Sequence, residues 1–238
     1  MPPIAQIEEE SLYEFYSELL FGPEATSRSD NMNQKGAKRL GQDSGGINHA
    51  TILNSQDGLL WTGEIYMGKY IKMDLIYDTG SDWLMVEGSN CDNCEGNTYN
   101  IDPNLALGVA EQLTTSKSTR VYGDATLVGR EYTDTVCILF SACVENFEFF
   151  LIEEQTGLKE PYDGVLGMSR NKVSHLSPDE GNVSGPLYVE HLFSAGVIPE
   201  NKFSLYFTQP GSESWADLGE PDLANIRADA TLVEIQML

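Results

Sequence analysis

The sequence predicts a mainly β fold, a barrel or sandwich with a few short helices, and three observations predict it. From Asp57 onward, short runs rich in β-branched and aromatic residues are separated by turn residues, as strands and their connections read. Within such a run, Gly63, Ile65 and Met67 alternate with Thr62, Glu64 and Tyr66, the period of two that places residues on opposite faces of a strand. The runs also follow one another closely, which suits mostly antiparallel neighbours.

Residues 1–55 differ from the rest. Ile7, Leu12, Phe15, Tyr16, Leu19 and Leu20 recur at helical spacing, and a polar, Gly-rich linker follows. That linker holds Arg28, Lys35, Lys38 and Arg39, which suits a solvated tail or a segment lying against an acidic body. Strands are then expected at LLWTGEIYMG (59–68), YIKMDLIYDTG (70–80), WLMVEG (83–88), STRVYGDATLVG (118–129) and EYTDTVCILF (131–140). ENFEFFLIEE (145–154), DGVLGMS (163–169) and NKFSLYFTQ (201–209) complete the set. One helix is expected within GPLYVEHLFSAG (185–196), where Leu187, Val189, Leu192 and Phe193 form an apolar stripe before Gly196. No internal repeat is visible.

The 238 residues carry a net charge of -23, from 37 acidic against 14 basic side chains. A surface so acidic repels a phosphate backbone and anionic lipid heads, which argues against nucleic-acid and membrane-surface partners. No apolar run approaches the roughly 18–20 residues of a membrane helix. The start, MPPIAQIEEE, has neither a basic region nor an apolar stretch, so no secretory signal is read. At 41% apolar and 21% charged residues, the chain has the composition of a protein with a core. Cys91 with Cys94 and Cys137 with Cys143 form two local pairs, open to reading as disulfides, a redox motif or a zinc half-site.

The segment that carries chemistry is MDLIYDTGSDWLMV, residues 73–86. An apolar strand delivers the carboxylate of Asp78 into a Thr-Gly turn and a second apolar strand. A carboxylate at the end of a buried strand costs free energy unless it is hydrogen-bonded or used. The segment resembles the first active-site loop of the pepsin-like aspartic proteases, in which two apolar residues and one further residue precede Asp-Thr-Gly-Ser. Other segments match in family order. LLWTGEIYMG resembles the opening strand pair, VYGDATLVG (121–129) the β-hairpin flap, and YDGVLGMS (162–169) the segment that braces the active-site loop. NKFSLYF (201–207) and ADLGEPD (216–222) resemble the strands that close the first lobe.

The resemblance implies an N-terminal lobe over residues 56–238, with residues 1–55 as an extension similar to a pro-segment. It implies aspartic-type endopeptidase chemistry, with a peptide or protein as substrate and no cofactor or metal. Two aspartates, one from each lobe, hold a water and share one proton, because like charges about 3 Å apart cannot both ionise. Asp78 would be one of them. Thr79 would hold the loop across the lobe interface, Gly80 would let the backbone approach the aspartate, and Ser81 would hydrogen-bond and orient it. Gly167 would pack beneath the loop. Tyr122 would be the flap tyrosine over bound substrate, with Gly123 providing the turn. Both cysteine pairs would be disulfides, and the family's usual places are the lysosome or vacuole and the extracellular space.

The sequence also departs from the family. No second apolar-apolar-x-Asp-Thr/Ser-Gly follows Asp78 before Leu238, so the second lobe is expected to be missing and the chain to be a fragment, inactive alone. The missing partner would be a covalent second lobe or, alternatively, a second copy of the chain; a non-catalytic peptide-binding module is the remaining reading. Asp43-Ser44-Gly45 spells a permitted triplet but lies among glycines without a buried strand before it, so it reads as a turn. Met85 stands where many members carry a tryptophan that bonds the flap tyrosine, and Trp83, two residues earlier, is expected to face the other way. GDATLV (123–128) has few glycines for a flap tip and is expected to be stiff. Asp163, before an apolar pair, reads as structural. His49, His175 and His191 show no spacing for a triad or metal, and Asn182-Val183-Ser184 is a sequon that matters only in the secretory route.

Overall fold

The alternation read in the sequence becomes a single mixed sheet. The structure, a computed structural model, describes residues 48–54, 60–101, 110–122, 125–139, 142–158, 162–170, 185–208 and 214–221. All of these fall in the compact unit Gly46–Leu238. The expected N-terminal helix and linker, the Asp43 triplet, Gly123, His175 and the sequon lie outside the described residues. The strands are β1 (Asn48–Asn54), β2 (Trp61–Met67), β3 (Ile71–Asp78), β4 (Leu84–Asp92), β5 (Glu111–Gln112) and β6 (Ser118–Tyr122). They continue with β7 (Ala125–Leu139), β8 (Ala142–Thr156), β9 (Gly164–Gly167), β10 (Phe203–Tyr206) and β11 (Ser214–Leu218), with one helix, α1 (Tyr188–Ser194), before β10.

The sheet runs β10-β11-β1-β2-β3-β9-β4-β8-β7-β5, with β6 paired to β7. Tyr66 and Met67 of β2 also pair with Cys137 and Val136 of β7, so six strands from β2 round to β7 close on themselves as a barrel. Most pairs are antiparallel, as the short connections require; β3 with β9 and β4 with β8 are parallel. Strand β9 is threaded between β3 and β4, pairing Asp78 with Gly167 on one side and Leu84 with Leu166 on the other. Strand β1, which the sequence reading left with the linker, is held between β11 and β2.

Burial follows the period of two. In β2 and β3, Gly63, Ile65, Met67, Met73, Leu75 and Tyr77 turn inward. The main core adds Leu84, Val86, Phe147, Phe149, Leu166, Tyr188 and Leu192. Strands β4, β8 and β9 are covered on both faces, which is why their sequences read as nearly continuous apolar runs. Their second face carries Trp83, Met85, Phe150, Ile152 and Val165, joined by Leu127 of β7. The expectation that Trp83 and Met85 face opposite ways is therefore corrected: residues two apart share a face, and both lie in this second cluster.

Helix α1 buries Tyr188, Val189 and Leu192, but Phe193 is exposed and does not join the stripe. The helix stops at Gly196, whose φ of 72° lets Gly196 N donate to Phe193 O (2.9 Å) and Val197 N to Leu192 O (2.9 Å), a Schellman-type cap.

Candidate active site

Asp78 is the last residue of β3, half-buried, where the strand's inward apolar pattern gives way to an exposed Thr79-Gly80 turn. The turn is held from below by β9 and the residues after it. Gly167 N donates to Trp83 O (2.9 Å), Met168 N to Asp78 O (2.7 Å) and Ser169 N to Ser81 O (2.9 Å). A Cβ on residue 167 would lie 2.5 Å from the Asp82 carbonyl carbon and 2.6 Å from Trp83 N, so only glycine fits beneath the loop.

The Asp78 carboxylate accepts from Gly80 N through Oδ1 at 2.9 Å. A Cβ on residue 80 would sit 3.2 Å from that same oxygen, the close approach that a glycine permits. Ser81 does not take its expected role. It is fully buried, and its Oγ has no hydrogen-bond partner among the described residues. Gly80 supplies the orienting donor instead.

Asp78 and Thr79 open into a cavity of ≈ 390 Å³. Its wall is mostly apolar, with Ile76, Met85, Leu127, Leu158 and Val165, and Trp61 and Tyr122 also line it. Tyr122 ends β6, and its hairpin partner across the turn is Ala125. Burial pushes the Tyr122 phenol above its ordinary value; the nearby Asp82 and Asp78 carboxylates add to this, and Arg120 opposes it. The phenol therefore stays protonated as a hydrogen-bond donor facing the cavity.

Asp163 is 1% exposed and fully engaged. Its carboxylate accepts from Asp74 N (2.6 Å), Asn97 N (2.6 Å) and Asn97 Nδ2 (3.3 Å), so it stitches β3 to the loop after β4. Both cysteine pairs are disulfides: Cys91–Cys94 at the end of β4, and Cys137–Cys143 between paired positions of β7 and β8.

Three features near the site were not picked out of the sequence. Asp82 is buried and accepts from Gly185 N at 3.0 Å. Gln155 donates to Asn93 O (2.7 Å) and Leu158 O (3.2 Å) and accepts from Leu158 N (3.0 Å), tying the Cys91–Cys94 loop to one wall of the cavity. Arg120 is buried beside the tyrosine. The partners in these contacts are up to 103 residues away in sequence, and only the polar interruption of apolar runs could have pointed to them.

Residues 61–237 match the eukaryotic aspartyl protease family. Polyporopepsin of Irpex lacteus is 34% identical over 103 residues, a stretch that covers 42% of this chain and 29% of that protein. The crystal structure of the aspartic proteinase from Irpex lacteus superposes with a TM-score of 0.57 at 22% identity, over 74% of this chain and 48% of that one. At that identity the likeness speaks for the fold. The chain thus spans less than half the length of both relatives.

Proposed function

The chain belongs to the eukaryotic aspartyl protease family, and from that premise we propose that it is the Asp78-bearing lobe of a peptide-hydrolysing site that works when a second Asp-bearing lobe faces it. The observation that carries this reading is the position of Asp78. A carboxylate on a braced turn opens into an apolar cavity large enough for a substrate side chain, beneath a protonated tyrosine.

In the assembled site, Asp78 and the second aspartate would hold one water between them. One carboxylate takes a proton as that water attacks the scissile carbonyl, while the other gives its proton to the carbonyl oxygen. The exchange reverses as the tetrahedral intermediate collapses and the amine leaves. The cavity wall of Ile76, Met85, Leu127, Leu158 and Val165 favours a large apolar side chain beside the cleaved bond. The partner lobe is either part of the same polypeptide or a second copy of this chain. Family members are typically secreted or vacuolar, a setting in which the two disulfides persist.

The test is hydrolysis of an unfolded protein at acid pH over a range of chain concentrations, with Asp78→Asn as the control and sedimentation recording the oligomeric state. No turnover is expected from monomer. Turnover rising with the square of concentration and lost in Asp78→Asn identifies a second copy as the partner. Turnover by monomer that is lost in Asp78→Asn overturns the need for a second lobe, and acid hydrolysis that survives Asp78→Asn overturns the role of Asp78. Saturable binding of extended peptides by a chain that never hydrolyses them, with or without a partner, would favour a binding module instead.

A further inference from the structure

Arg120 is 1% exposed, a charged side chain taken out of water at the base of the hairpin that carries Tyr122. Such burial is unfavourable unless the guanidinium finds partners on its edges and faces. It does so on both. Nη2 donates to Glu131 Oε1 at 2.7 Å and Nη1 to Ser118 Oγ at 3.1 Å, while the guanidinium carbon lies 4.8 Å from the ring centres of both Trp83 and Phe150. Those rings meet edge to face, with centroids 6.4 Å apart. Trp83 belongs to the turn after Asp78, Phe150 to β8 and Glu131 to β7, so one side chain gathers three elements around β6.

Two residues along the same strand, and hence on the same face, is Tyr122, which packs against the cluster that Trp83 and Phe150 belong to. Met85, the nearby residue of β4 in that cluster, is fully buried and has no N–H to offer a tyrosine hydroxyl. A link between the Asp78 turn and the hairpin therefore runs through a ring face, from Trp83 to Arg120, and position 85 has no side-chain N–H to add to it.

We propose that Arg120 is the positioning residue of this hairpin: seated in the corner formed by Trp83 and Phe150 and tied to Glu131 and Ser118, it holds β6 so that Tyr122 lines the cavity of Asp78. The consequence for substrate rests on the peptide-cleft reading above; the positioning itself does not. Lysine cannot replace it, because an ammonium lacks both the planar face and the fork that reaches Glu131 and Ser118 together.

The test uses the full chain labelled with 3-fluorotyrosine, the Tyr122 signal being assigned by its loss in Tyr122→Phe, together with amide hydrogen exchange. In Arg120→Met, and in Arg120→Met with Glu131→Gln so that no carboxylate is stranded, the Tyr122 fluorine signal should shift and broaden. Exchange across residues 118–122 should quicken about tenfold, while β10 and β11 keep their protection. Arg120→Lys should give the same result. An unmoved Tyr122 signal, a uniform rise in exchange over the whole sheet, or full rescue by lysine would overturn the proposal. Binding of a peptide with a central statine, a mimic of the tetrahedral intermediate, is measured in parallel. Arg120→Met should weaken it about tenfold in the parent and less than about twofold in Tyr122→Phe, since coupled residues are not additive. Equal losses in both backgrounds would count against Arg120 acting through Tyr122, whereas a parent chain that binds no such peptide counts against the peptide-cleft reading and leaves the fluorine and exchange results to decide Arg120.

Discussion

Asp163→Ala separates the structural carboxylate of this fold from the one proposed to act chemically, Asp78. Its side chain is buried and accepts two short backbone bonds, from Asp74 N and Asn97 N, both at 2.6 Å, plus a longer one from Asn97 Nδ2. The backbone bonds of residue 163, from its N to Asp74 O and from Glu87 N to its O, survive the truncation. The loss is therefore that of a two-oxygen acceptor with two backbone amides left behind. At about 1–3 kcal/mol for each stranded group, discounted because Asn97 lies at the surface and can be rehydrated, the total is about 2–4 kcal/mol. Asparagine keeps one acceptor oxygen and should cost about half as much. For a domain with roughly 5–15 kcal/mol of stability, the alanine variant stays folded but visibly weakened. In urea unfolding followed by tryptophan fluorescence, a 3 kcal/mol loss at a slope of about 2 kcal/mol/M lowers the midpoint by about 1.5 M with the slope unchanged. Asp78→Asn is the contrast. Its carboxylate accepts from Gly80, is half-exposed, and should move stability by no more than about 0.5 kcal/mol. Asp163→Ala with an unmoved midpoint, or Asp78→Asn with the larger loss, would refute the assignment of roles.

Three further outcomes follow from the same geometry. Gly167→Ala places a methyl 2.5–2.6 Å from the Asp82 and Trp83 backbone, which cannot retreat without moving the Asp78 turn; a loss of about 1–3 kcal/mol in urea unfolding is expected, and an unchanged midpoint would refute the close packing. Replacing Cys137 and Cys143 together by alanine should cost about 2 kcal/mol, and replacing Cys91 and Cys94 somewhat less, because a six-residue separation restrains the unfolded chain more than a three-residue one; equal losses, or the reverse order, would count against this. Glu64→Gln tests an acid-sensitive contact. Burial tends to raise the Glu64 carboxyl, but hydrogen bonds from Lys72 (2.7 Å) and Tyr66 (2.6 Å) and the Lys72 charge outweigh it and hold it below its ordinary 4.5. A depressed carboxyl stabilises the fold above its unfolded value and loses that contribution as pH falls through the folded one. Asp74, raised mainly by burial, works in the opposite sense. Melting temperatures between about pH 5 and 3 should therefore fall less steeply in Glu64→Gln than in the parent, and identical slopes would exclude the contact as a source of acid sensitivity.

How much of this was legible beforehand depends on the range of the interactions. The inward positions of β2 and β3 were visible because burial on one face writes itself as alternation within seven or eight residues. Asp78 was visible for the converse reason, as the one charge at the end of such a strand. Strand β1 was not, since its residues, NHATILN, follow a Gly-rich stretch and become a strand through pairing with β11, more than 160 residues away in the chain. Trp83 and Met85, two residues apart, share the face of the second cluster, and the Trp83 ring there is one on which Arg120 rests. The role of Ser81 was carried over from the family's pattern, and the buried, unbonded hydroxyl shows that a motif fixes the residue type without fixing its partner.

The threading of β9 explains why so much of the site depends on residues distant from Asp78. A strand inserted between β3 and β4 must leave no room for a side chain at Gly167, and it must be anchored before it enters, which Asp163 does through Asp74 and Asn97. The Asp78 turn is thus supported from below by backbone bonds in which it supplies main-chain carbonyl acceptors, and these no substitution at positions 79–81 removes. From above, one contact that joins the hairpin to the same turn is between side chains, Trp83 with Arg120. The two supports differ in kind: one is a ladder that fixes the carboxylate, the other a cation seated against two rings that can be loosened without unravelling a strand. Substitutions that alter how the cavity is covered should therefore be tolerated best at positions 83, 85 and 120, while the floor beneath Asp78 tolerates almost none.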